Sequence, residues 1–105
     1  MRYRRYDMAK RFVFRNPEQL KAIVELCKDG SASKVMNVAR VWSVTCRQKE
    51  KTPWDGKIGA SFYTEGRERK ACVFRFGTND QICVLGWLKY NAALKWCEEN
   101  LERGE

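Results

Sequence analysis

The sequence contains no histidine. It therefore lacks the one side chain whose ordinary pKa suits acid–base work near neutrality, and the commonest nitrogen ligand for zinc. Proline occurs only at 17 and 53, so no proline-rich linker is present. No apolar run approaches the ~20 residues a membrane span needs, and no long apolar segment follows the basic N-terminus, so neither a membrane span nor a secretory signal is expected. The cysteines at 27, 46, 72, 83 and 97 are odd in number and form no C-x-x-C pair. They read as reduced core residues of a cytoplasmic protein rather than as zinc ligands or a disulfide framework.

Catalytic signatures are missing as well. There is no G-x-S-x-G, P-loop, G-x-G-x-x-G or H-E-x-x-H. The carboxylates are scattered through caps, loops and helix faces, and a cysteine nucleophile would have no histidine partner. A protein without enzymatic activity, catalytic residues, metal or cofactor is expected.

What is present is positive charge. The 105 residues carry a net charge of +8 and are 44% apolar, enough for one folded domain with a single core. Met1 to Arg15 holds six basic residues against Asp7 alone, whereas the last eight residues hold four glutamates against Arg103. Residues 1–9 read as a basic, flexible arm, and residues 10–105 as a single α+β domain. In the arm, Arg2, Arg4 and Arg5 would neutralise phosphates while Tyr3 and Tyr6 stack.

Local patterns give the elements. Residues 10–15 alternate as a strand with Phe12 and Phe14 on one side. Asn16 as cap, Pro17 as first residue and Gln19 as capping partner begin a helix over 17–29 that Gly30 ends. Residues 34–47 fit two templates. Read as a strand, Met36, Val38, Trp42, Val44 and Cys46 share a face. Read as a helix, Val35, Val38, Ala39, Trp42 and Cys46 do, and helix 17–29 would join it in a helix-turn-helix. The density of β-branched residues favours the strand, and the link is long for a helix-turn-helix. From Lys57, three alternating runs (58–63, 71–76, 81–85) are separated by turn residues, and Tyr90, Leu94, Cys97 and Leu101 then mark a helix over 88–102. The expected fold is α+β: an antiparallel sheet of four to five strands covered by two helices, in the order β-α-β-β-β-β-α. Its core would include Val44, Cys72, Phe74, Phe76, Ile82 and Val84 beside Phe12, Phe14, Leu20, Ile23 and Trp42.

The segment from Lys57 onward runs strand–turn–strand–turn–strand, then Leu85-Gly86-Trp87-Leu88 and Ala93-Leu94-Lys95-Trp96. In outline it resembles the three-strand-plus-helix DNA-binding modules of plant transcription factors and the arm-type domains of phage integrases. The first half of the chain has no counterpart there, and no residue roles are carried over.

The function expected from these patterns is a small nucleic-acid-binding or accessory protein, with DNA or RNA as partner. Its contacts would come from the arm, from Lys10 and Arg11, and from the loop cations Arg47, Lys49, Lys51, Lys57, Arg67 and Arg69, with Trp54 as a further stacking residue. The alternative is a small phage-type inhibitor or adaptor that docks on an acidic protein surface through exposed aromatics and arginines.

Overall fold

The computed structural model describes residues 10–28, 30–47, 57–76 and 82–103, save the side chains of Cys46, Arg47 and Phe76. The expected arm and the loop carrying Lys49, Lys51 and Trp54 lie outside the described residues.

Strand β1 (Lys10–Val13) leads into helix α1 (Pro17–Ile23), a 3-10 turn (Val24–Leu26) and the two-residue strand β2 (Cys27–Lys28). Helix α2 (Ser31–Arg47), strands β3 (Ile58–Glu65), β4 (Glu68–Phe76) and β5 (Ile82–Leu88), helix α3 (Tyr90–Asn100) and strand β6 (Glu102–Arg103) follow. The strands form one antiparallel sheet in the order β2-β5-β4-β3-β1-β6. The α+β class is as expected, but the sheet has six strands rather than four or five. The two extra strands are short edge pieces with no alternation long enough to read.

The cap of α1 forms as its residues dictate. The Gln19 N–H donates to Asn16 Oδ1 at 3.0 Å, and Gln19 Oε1 accepts from the Arg15 N–H at 2.8 Å. The helix is shorter than expected. After Ile23 the chain tightens, then extends so that Cys27 and Lys28 pair with Leu88 and Trp87. Gly30, at φ 75, reverses the chain in a conformation that costs glycine little.

Residues 34–47, expected as a strand, belong to helix α2. Val35, Ala39 and Trp42, spaced by four and three, are all fully buried in one stripe. Strand propensity is weaker than such a stripe. Of the β-branched residues that suggested a strand, Val35 is buried, Val38 and Thr45 are half-buried, and Val41 and Val44 are 51% and 46% exposed, so Val44 is not core. Thr45 Oγ1 donates to the Val41 carbonyl at 3.0 Å, a bond that suits threonine within a helix.

The helices pack on one face of the sheet, called here the near face. Its core joins Phe12, Phe14, Ile58, Ala60, Phe62, Ala71 and Val73 to Leu20, Ile23, Trp42, Ala93 and Cys97. Phe12 and Phe62 meet edge-on at 5.7 Å, and Phe62 meets Tyr90 of α3 at 5.6 Å. Helix α2 comes so close to β5 that a Cβ on Gly86 would lie 2.7 Å from Ser31 Cβ.

A register shift on β4 and β5 fixes which residues face the helices. Val73 pairs with Gly86, yet Phe74 pairs with Val84. Leu85 is the extra residue of a β-bulge and sits in the core, 7% exposed. Ile82 and Val84, expected as core, are 53% and 37% exposed. Cys72 and Phe74 are buried, at 4% and 5%, but they alternate with the near-face residues Ala71 and Val73 and so lie on the far face.

Candidate functional site on the far sheet face

Among the described residues no helix packs on the far face. Its geometry follows from strand register. Arg11 pairs with Ser61, Ser61 with Cys72, Cys72 with Trp87, and Trp87 with Lys28. These five residues form a single row across β1, β3, β4, β5 and β2. At the usual strand spacing its cationic ends stand about 19 Å apart. Alternation assigns the row to the far face, because Phe62 meets Tyr90 and Gly86 meets Ser31 on the near one.

Neighbouring rows complete the surface. Tyr63 pairs with Lys70 on one side, and Gly59, Phe74 and Val84 align on the other. Gly59 has no Cβ, and one placed there would come within 3.0 Å of the Phe74 ring, so the phenylalanine lies over it. Between these rows runs a groove of about 170 Å³ lined by Arg11, Ser61, Tyr63, Cys72, Phe74, Ile82 and Val84. Its walls are mostly apolar, with hydroxyls and a guanidinium on the β1–β3 side.

The electrostatics of the row are uneven. Arg11 and Lys28 form no ion pair among the described residues. Lys70 Nζ stands 5.6 Å from the centre of the Trp87 ring and 2.7 Å from a Glu65 carboxylate oxygen. The hydrogen bond to Glu65 and its charge raise the Lys70 pKa. Burial pushes the Cys72 thiol up to about 11, against a small opposing effect of the Ser61 backbone and the Arg11 charge. It is a protonated, poorly nucleophilic wall at neutral pH.

The structure does not gather the described cations expected from sequence onto one surface. Arg11 lies in the row. Lys10, its neighbour, pairs with Glu98 of α3 at 3.4 Å, and Arg15 pairs with Glu102. Arg69 lies over the Tyr90 ring, 5.7 Å from its centre, on the near side. Lys57 is exposed at the foot of β3, Arg67 is exposed in the β3–β4 turn, and Arg47 ends α2. The glutamates at the end of the chain thus neutralise part of the basic N-terminal segment.

Lys28, Tyr63, Lys70 and Trp87 were not singled out by the sequence. The turn at Gly66, φ 65, aligns Glu65 with Glu68 and hence Tyr63 with Lys70, so that pair was open to inference from hairpin register. Trp87 is hidden by the bulge, and Lys28 by its place at the end of an apparent helix.

Among the described residues no three histidine, cysteine, aspartate or glutamate side chains converge, and no helix is long and apolar enough to cross a membrane. Compared with known proteins, the chain matches no family model, no curated protein and no solved structure.

Proposed function

We propose that this protein is a small, non-enzymatic nucleic-acid-binding protein. The observation that supports this reading best is the far-face row, with Arg11 and Lys28 at its ends and Trp87 within it. Cations spaced across an aromatic surface fit a polymer that alternates phosphate with base. The net charge of +8 and the arginine–tyrosine arm act in the same direction by drawing a polyanion to the surface. Anisotropy titration with labelled DNA and RNA at low and high salt tests the reading. Affinity is expected to fall steeply as salt rises, and an absence of binding at low salt overturns it.

A second reading rests on α2. The helix holds no aspartate or glutamate, and Lys34, Arg40, Val41 and Val44 are exposed on it. A cationic face with exposed valines fits an inhibitor or adaptor that docks on an acidic protein surface. A stoichiometric partner that survives nuclease treatment of a lysate, and is lost on Arg40→Glu, distinguishes this reading from the first.

A further inference from the structure

We infer that the far face takes a single strand rather than a duplex, with one base in the groove beside Phe74 and Tyr63 and an adjacent base on Trp87. This rests on the nucleic-acid reading above and specifies its substrate.

Width excludes the duplex. The row from Arg11 to Lys28 spans about 19 Å of sheet, whereas the major groove of B-form DNA is about 12 Å wide and admits a helix or a two-stranded ribbon. A five-strand surface cannot enter it. It could meet a duplex only along the phosphates, and for that the groove and the tryptophan serve no purpose. In a paired helix the faces of the bases are already stacked on one another. Only unpaired bases can reach aromatic side chains on a flat sheet.

The chemistry of the row matches an unpaired strand position by position. The groove offers exposed apolar wall from Ile82 and Val84, over a floor of Cys72 and Phe74, for the face of a base, and the Ser61 hydroxyl for its edge. Arg11 at its rim and Lys28 beyond Trp87 are cations with no carboxylate partner among the described residues, at the two ends where the strand's phosphates cross the row. Between them Trp87 is only half-buried. A base that stacks there takes the place of the Lys70 ammonium, which keeps Glu65 as its counter-ion. Ile82 and Val84, exposed although apolar, extend the groove wall that the base covers.

The test compares a labelled oligothymidylate and an oligouridylate of about 12 nucleotides, within the usual site sizes, with a DNA duplex of equal length. The single strands are expected to bind about tenfold or more tighter. Trp87→Leu is expected to weaken single-strand binding about 5- to 150-fold, the worth of one stacked base, and to leave duplex binding unchanged. Lys28→Glu, on an exposed side chain that the fold does not need, is expected to weaken it too. Arg11→Gln is expected to flatten the slope of log affinity against log salt by about 0.7. Lys95→Gln on α3 is the control and is expected to change nothing. Duplex binding equal to or tighter than single-strand binding overturns the inference and leaves the nucleic-acid reading standing. So does single-strand binding insensitive to both Trp87→Leu and Lys28→Glu. Failure of every probe at low salt overturns the nucleic-acid reading itself.

Discussion

Lys10 and Arg11 are neighbours in the chain and belong to different electrostatic worlds. Lys10 turns to the near side and meets Glu98, while Arg11 turns to the far side and meets no carboxylate among the described residues. The same division runs through the whole sheet. The near face is apolar, sealed by three helices, and two of its rim cations, Lys10 and Arg15, are matched by glutamates near the end of the chain. The far face interleaves aromatics, hydroxyls, thiol and cations, and among the described residues its carboxylates are confined to the β3–β4 hairpin at Glu65 and Glu68. The near face holds most of the core, while the far face buries Cys72 and Phe74 and leaves Ile82 and Val84 exposed. A count of charges along the sequence cannot see this, because strand alternation sends adjacent cations to opposite sides.

Four measurements break or sharpen that division. The largest effect is expected from Trp42→Ala on the near side. Removing the largest fully buried side chain is expected to cost about 3–5 kcal/mol in urea unfolding, while the far-face Trp87→Ala costs about 1 kcal/mol. Equal costs would mean that the two faces share the core.

The second concerns pH. Burial raises the thiol of Cys72 on the far face to about 11 and that of Cys97 on α3 to about 12. In the unfolded chain both titrate near the ordinary cysteine value, so the stability from keeping them neutral is complete below that value. It is lost as pH rises through it towards the folded values. Unfolding free energy is expected to fall by about 2 kcal/mol per thiol on this climb, and Cys97→Ala is expected to remove its share of the slope. A flat profile between pH 8 and 11 would show that both thiols are accessible to water.

Third, Gly86→Val is expected to destabilise by about 1–3 kcal/mol, since the new side chain meets Ser31 and Val35 of α2. A neutral result would show that α2 has room to move away from the sheet. The smallest effect is expected from Lys10→Gln, which removes an exposed ion pair worth about 1 kcal/mol or less. It is expected to leave oligonucleotide affinity unchanged beside the loss caused by Arg11→Gln. Equal losses in an anisotropy titration would dissolve the distinction between the faces.

Much of the near face was legible in advance. The cap at Asn16, the alternation of β3 and the stripe of α3 each depend on neighbours within a few residues, and all three occur. Helix α2 was misread because its exposed valines imitate a strand, and only packing of Val35, Ala39 and Trp42 separates the two templates. The far face was harder to read. Its row draws one residue from each of five strands, and two of those contributions depend on features that have no local signature. One is the bulge at Leu85, which reverses the expected orientation of Ile82 and Val84. The other is the short pairing of Cys27–Lys28 with β5, written in the sequence as the end of a helix.

Trp87 passes through this division like a rivet. Its ring lies in the far-face row, but its backbone N–H donates to Ser31 Oγ at 2.9 Å, in the first turn of α2 on the other side. A ligand that shifts the Trp87 backbone is therefore expected to be felt at the start of α2. Amide resonances around Ser31 become a remote gauge of occupancy, and a ligand on one side of the sheet can be followed from the other.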